Sequence, residues 1–203
     1  CKYWLKAQEK INLDNNLRFF KTHNAFGKIN NYDFTNPQNS VGCIYIVRDP
    51  RNVISSLKNH YELDDEKALK WMTNKKQFLY DVEKVEEFGF SDFQFISSWD
   101  MNYKSWRLQK KIPLKFIKYE DLLNETFIVS KEIIKFINDV TDNKQKINID
   151  KLKNTLQSTS FSKLKNNEIK YGFSEAVNSQ KNKQNKIKFF NLGPENDWRK
   201  ILN

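Results

Sequence analysis

Cysteine is scarce in this chain: Cys1 and Cys43 are the two among 203 residues. Two thiols cannot build a disulfide framework or a cysteine metal cluster, and such usage suits a reducing, intracellular setting. Glycine and proline number only five and four, which excludes collagen-like and low-complexity linker classes. No apolar run approaches the roughly 18 residues that mark a membrane helix, and no signal peptide is visible. A cytoplasmic protein without a membrane span is expected. Aromatic residues, by contrast, are plentiful. Sixteen Phe, eight Tyr and five Trp argue against a disordered chain, which would be poor in them. At roughly 100–200 residues per domain, the length fits one domain with enough chain for a core.

The formal charge is +10, and the sequence pI is near 9.4. A basic chain raises the question of nucleic acid or a membrane surface. The distribution answers it in part. Residues 1–143 hold 22 basic and 20 acidic side chains, whereas the last sixty hold 13 and 5, densest at Lys181, Lys183, Lys186 and Lys188. That excess reads either as a solvated lysine face or as a local anion site. Nucleic-acid binding would need a basic stripe with exposed aromatics interleaved, and the tail has few. No nucleic-acid partner is expected.

Three short apolar runs read as strands: Leu17–Phe20, Val41–Val47 and Leu114–Lys118. The second is almost continuously apolar, as expected where both faces of a parallel sheet are covered, and Cys43 within it should pack as a small hydrophobe. Helical periodicity fills the intervals. Asp49 can cap a helix with Pro50 at its first position, after which Val53, Leu57 and Tyr61 share one face. Residues 64–88 suggest two helices, 98–108 another with Trp99 and Trp106 on one stripe, and 127–140 a further amphipathic one. Cys1–Ile11 also reads as a helix. His60 is expected on the solvated flank of its helix. Residues 170–188 are polar and aperiodic, the pattern of a long loop. Strands alternating with helices give an α/β class with a mostly parallel sheet.

Two strand ends carry chemistry. Arg48 follows Val47 at the edge where open α/β sheets bind ligands. Its planar fork suits a phosphate, the next helix offers backbone N–H groups, and Ser56 adds a hydroxyl. An equally ordinary reading pairs Arg48 with Asp49 or Glu120. At the other strand end, Lys21-Thr22-His23 could place a general base beside a charge stabiliser, since histidine titrates near neutrality. On these residues alone, the plainer reading of His23 is a structural residue hydrogen-bonded in a loop.

Taken together, these blocks resemble the cytosolic-type sulfotransferase family, its bacterial branch especially. Lys21 to Gly27 reads K-T-H-N-A-F-G, and Arg48-Asp49-Pro50 is followed by Ser56 at the family spacing. The resemblance continues through Ser98-Trp99 to Ser105-Trp106, Tyr119 to Leu122, Ser158 to Asn167, and Phe189 to Trp198. It implies a P-loop-NTPase-like three-layer α/β domain over residues 1–203. It also implies sulfuryl transfer from 3′-phosphoadenosine 5′-phosphosulfate to a hydroxyl or amine of a small-molecule or saccharide acceptor. His23 would be the general base and Lys21 a charge stabiliser. Arg48 and Ser56 would hold the donor's 3′-phosphate, with Tyr119, Thr159 and Phe161 around the adenine and Gly193 in the closing motif. The segment 170–188 would be a mobile loop over the donor. The family reaction uses no metal, and the sequence contains no metal-ligand cluster.

The chain departs from the family pattern in two places. Nothing matches the N-terminal strand, Y-P-K-S-G-T-T-W-type loop and helix whose backbone cradles the phosphosulfate. The expectation is therefore an incomplete domain, aggregation-prone and inactive as given. The closing motif usually reads Arg-Lys-Gly after Phe-Phe, but here it is Asn191-Leu192-Gly193, so Lys186 or Lys188 is expected to replace the lost charge. The competing reading is a non-catalytic nucleotide-binding or basic interaction domain that kept the fold without the chemistry.

Overall fold

The computed structural model describes residues 1–14, 16–80, 82–89, 91, 93–179, 181–182 and 184–202. Helix α1 (Trp4–Ile11) is followed by two short strands, β1 (Lys28–Ile29) and β2 (Tyr32–Asp33), paired antiparallel. Their turn is Asn30-Asn31, both with positive φ (49° and 68°), the backbone a two-residue hairpin needs and asparagine tolerates. Then come β3 (Cys43–Val47), α2 (Pro50–Tyr61), α3 (Asp65–Thr73), β4 (Phe78–Leu79), α4 (Val82–Phe88), β5 (Gln94–Phe95) and α5 (Trp99–Leu108). The remainder is β6 (Leu114–Lys118), α6 (Tyr119–Asn124), α7 (Thr126–Val140), α8 (Ile149–Ser158), α9 (Phe161–Tyr171), a 3-10 turn at Gly193–Glu195 and α10 (Trp198–Ile201). Strand β3 pairs with β6, and β4 pairs antiparallel with β5.

The chain divides into two compact units. The first comprises residues 1–45 and 71–116. Its core is Trp106, only 4% exposed, with Met72 and Ile112 also buried. The rings of Phe26, Phe34 and Tyr45 surround Trp106 at centroid distances of 5.1, 6.4 and 6.3 Å. The tryptophan stripe of α5 is therefore packing, as its helical spacing implies. Trp4 of α1 adds an edge-on contact to Phe34.

The second unit comprises residues 46–70 and 117–203. Its α2 begins as the local sequence dictates: Asp49 accepts a hydrogen bond from the Arg51 amide at 2.9 Å, and Pro50 fills the first helical position. Glu62, left-handed at φ 51°, ends it. Leu57, Ala68, Ile117, Val129 and Leu152 form the buried apolar set. Helix α7 packs against α6 and α8, and α10 packs against α2.

Leu17–Phe20, expected to be a strand, is not one. Residues 16–20 belong to no β-ladder among the described residues, and Leu17, Phe19 and Phe20 are 52–71% exposed. Extended apolar sequence becomes a strand only against a partner, and here side chains anchor the segment instead. Arg18 pairs with Asp14 and donates to the Ile11 carbonyl. The expected loop at 170–188 begins later, because α9 continues to Tyr171 and ends on Gly172, φ 76°. Beyond it, Asn178 bridges to Lys186, and the buried Ser179 hydroxyl donates to Glu62. Lys183, one of the tail lysines, lies outside the described residues. His60 is not simply solvated: its ring stands edge-on to Tyr61 at 4.6 Å and to Phe189 at 6.2 Å.

Candidate functional site

In the first unit, Lys21, Thr22 and His23 are exposed, and Asn24 is buried at 4%. Asn24 is the anchor. Its side-chain carbonyl accepts from the Phe95 amide at 2.7 Å, its Nδ2 donates to Thr22 Oγ1, and its backbone carbonyl accepts from Trp106 Nε1 at 2.9 Å. The backbone of His23 is held on both sides as well. Its N–H donates to Gln94 Oε1 at 2.7 Å, and its carbonyl accepts from Asn102 Nδ2 at 3.0 Å. Asn102 in turn accepts from the Tyr45 hydroxyl, whose pKa burial pushes up to about 12. The main chain at His23 is thus fixed while the imidazole stands at the surface. Beside Tyr45 in sequence, the Cys43 thiol is pushed up to about 11 by burial, so it is a packed thiol rather than a nucleophile.

The second unit gathers most of the other predicted residues. Arg48 lies with its guanidinium 4.3 Å over the Tyr119 ring, and its Nη2 donates to the Gly193 carbonyl at 3.0 Å and to the Asn196 carbonyl at 3.4 Å. Its Nε is buried and has no hydrogen-bond partner. Asp49 is engaged by Arg51 at 2.6 Å, which holds its carboxyl below the ordinary range. Glu120 accepts from the Asp49 amide at 3.4 Å. Among the described residues, neither carboxylate pairs with Arg48, so the ion-pair reading of that arginine does not hold. Gly193 has φ 54°, and a β-carbon there would sit 2.2 Å from the Phe161 ring. Only glycine permits that approach.

Ser55 and Ser56 separate clearly. Ser55 is buried, and its hydroxyl is spent on the Asn52 carbonyl and Asn196 Oδ1, at 2.9 and 2.7 Å. Ser56 is exposed, and its Oγ accepts from Asn196 Nδ2 at 3.0 Å. Arg48, Ser56, Tyr119, Phe161 and Gly193 are therefore linked through one set of contacts. Thr159 is not brought into it: its hydroxyl donates to the Thr155 carbonyl at the end of α8.

Two residues here were missed by sequence reasoning. Asn196, 5% exposed, touches Arg48, Asn52, Ser55 and Ser56; no local spacing marks a partner more than a hundred residues away. Lys165 donates to the Asn191 carbonyl at 3.0 Å and lies 5.8 Å from the Phe161 ring. Its position four residues after Phe161, on one helix face, was a readable signal. Lys186 and Lys188 instead line a cleft of about 220 Å³ with Glu168 and Phe173. A larger cleft of about 800 Å³ in the first unit, rimmed by Arg107, Lys110 and Lys111, contains none of the predicted site residues.

Chemically, the second unit presents a guanidinium whose buried Nε has no hydrogen-bond partner. A buried guanidinium N–H without an acceptor costs about 1–3 kcal/mol or more, and an anionic oxygen would remove that cost. Planar N–H donors, an outward hydroxyl and two aromatic rings suit a phosphate next to a flat base. Among the described residues no cluster of His, Cys, Asp and Glu could hold a metal ion, and no helix is long and apolar enough to cross a membrane.

Comparison with known proteins places this α/β arrangement. The sulfotransferase domain family model matches residues 3–203, and the chain belongs to that family. Among solved structures, mouse sulfotransferase SULT7A1 complexed with PAP is similar in fold. The TM-score is 0.54 at 20% identity, over 82% of this chain and 55% of that one. The fold is thus the P-loop-like sulfotransferase type, a parallel sheet flanked by helices, and the chain spans about half the length of that relative. No curated protein matches the chain.

Proposed function

We propose that this protein transfers a sulfuryl group from 3′-phosphoadenosine 5′-phosphosulfate to a hydroxyl or amine of a small-molecule or saccharide acceptor. The observation that carries the reading is Arg48. It has a buried, unpartnered Nε and sits on the Tyr119 ring, within contact of a glycine turn that Phe161 closes. Arg48 and Ser56 would grip the 3′-phosphate, and Tyr119 and Phe161 would face the adenine. Thr159, at the α8–α9 junction next to Phe161, would close the base's rim. Lys165 of α9, whose Nζ donates to the Asn191 carbonyl, would supply the charge missing at Asn191-Leu192. The 170–188 segment would cover the donor and exclude water.

The donor, when bound, supplies an activated sulfuryl group whose bond to the 5′-phosphate breaks as a bond to the acceptor forms. His23 takes the proton that the acceptor loses, and Lys21 faces the oxygens on which charge develops. Support for His23 lies in its main chain, fixed on both sides by Gln94 and Asn102, since a base works only when positioned. The activity is that of a sulfotransferase acting in the cytoplasm.

The test is transfer of labelled sulfate by the full-length protein to a panel of phenols, alcohols, amines and saccharides. Transfer to one acceptor class that is abolished by His23→Ala is the expected result. The absence of cations at Asn191-Leu192 favours one other reading, a domain that binds the nucleotide without chemistry. Donor-product binding with no transfer to any acceptor would select it.

A further inference from the structure

Resting on the reading of Arg48 and Ser56 as a phosphate clamp, we infer that Asn196 is a positioning residue that turns the Ser56 hydroxyl into an outward hydrogen-bond donor. The amide's orientation is fixed by chemistry. Asn196 Nδ2 lies 2.9 Å from the Asn52 carbonyl, which can only accept, so the NH2 end must face it. The second N–H of that group then donates to Ser56 Oγ at 3.0 Å. The opposite end, Oδ1, accepts from the buried Ser55 hydroxyl at 2.7 Å. Every polar atom of the Asn196 side chain is thereby committed.

The consequence falls on Ser56. A hydroxyl has one proton and two lone pairs. With a lone pair taken by Asn196, its O–H has no acceptor among the described residues and points away from the amide, toward solvent. A serine left to itself on a helix tends to donate back to a carbonyl of the preceding turn, as Ser55 does to Asn52. Ser56 Oγ makes no such bond and instead accepts from the Asn196 NH2 that also meets the Asn52 carbonyl. The Asn196 backbone carbonyl meanwhile receives Arg48 Nη2 at 3.4 Å and Gly193 the same nitrogen at 3.0 Å, so one short turn sets both donors of the clamp. The Nε of the same guanidinium has no hydrogen-bond partner.

The experiment measures binding of 3′,5′-adenosine bisphosphate and of 5′-AMP, which lacks the 3′-phosphate, to the full-length protein by calorimetry. Wild type is expected to prefer the bisphosphate. Asn196→Ala should cut that preference about tenfold while leaving 5′-AMP affinity within about twofold. Asn196→Asp should cut it further, because a carboxylate offers Ser56 an acceptor and draws its proton inward. In a Ser56→Ala background, Asn196→Ala should change the preference little. Equal losses for both nucleotides, or the same loss with and without Ser56, overturn the inference and make Asn196 a structural residue only. A wild type with no preference overturns the clamp reading itself; a preference that Asn196→Ala and Asn196→Asp leave intact overturns the role of Asn196 alone. Unfolding midpoints of each variant, with and without bisphosphate, extend the test to a destabilised one, since the ligand-induced shift reports affinity.

Discussion

The turn around His23 stands exposed, whereas Arg48 is half-buried. Around Arg48, the functional side chains are themselves members of the network. Ser56 and Arg48 are tied to Gly193 and Asn196, 140–148 residues away. Around His23, Gln94 and Asn102 hold the main chain and Asn24 is buried beside it, with Lys21 and His23 at the surface. The difference suits the two tasks proposed for these turns. A nucleotide phosphate is always the same shape, so fixing its donors in advance lowers the cost of binding. An acceptor varies, so what must be fixed is where the base is delivered, not everything around it.

That contrast can be broken most severely at His23. His23→Ala is expected to lower turnover by about 10²–10⁴-fold and to change bisphosphate affinity less than about twofold, read by sulfate transfer and calorimetry on one preparation. Arg48→Ala is expected to do the reverse. Its bisphosphate affinity should fall roughly a hundredfold, since truncating a partly buried charged donor is costly. Parallel losses in both variants would erase the distinction between the two turns.

Gly193→Ala sharpens the contrast from the packing side. Its φ of 54° and the 2.2 Å approach to Phe161 predict a loss of about 2–3 kcal/mol in urea unfolding, from backbone strain and overpacking together. Phe161→Leu in the same chain should restore part of it. The smallest effect is expected at Asp49. Its carboxyl is depressed chiefly by the Arg51 hydrogen bond, so the ionised form is favoured in the folded state. The resulting stabilisation is present above the unfolded pKa and is lost as pH falls through the folded one. Asp49→Asn, which keeps the cap, should cost no more than about 0.5 kcal/mol at pH 7, and the difference from wild type should shrink below about pH 4.

How much of this was legible in the sequence depended on how local each signal was. Helix α2 was readable because Asp49 and Pro50 act on the residues next to them. Strand β6 was found at its observed bounds because its apolar run and the following acidic turn are local. Leu17–Phe20 was misread because a strand is defined by a partner, and composition says nothing of partners. Asn196 was invisible for the same reason: its role comes from Asn52, Ser55 and Ser56, brought to it only by folding. Lys165 was legible but overlooked, since the tail lysines drew attention by density rather than position. The preference for Ser56 over Ser55 comes from the family spacing; in the structure Ser55 is buried and Ser56 is exposed.

The proposed division of labour between the two turns is tested most directly by titrating 3′,5′-adenosine bisphosphate into wild type, His23→Ala and Arg48→Ala side by side. The account predicts that the first two bind within about twofold of each other and that Arg48→Ala binds roughly a hundredfold more weakly. Undiminished binding by Arg48→Ala, or an equal loss in His23→Ala, would contradict it.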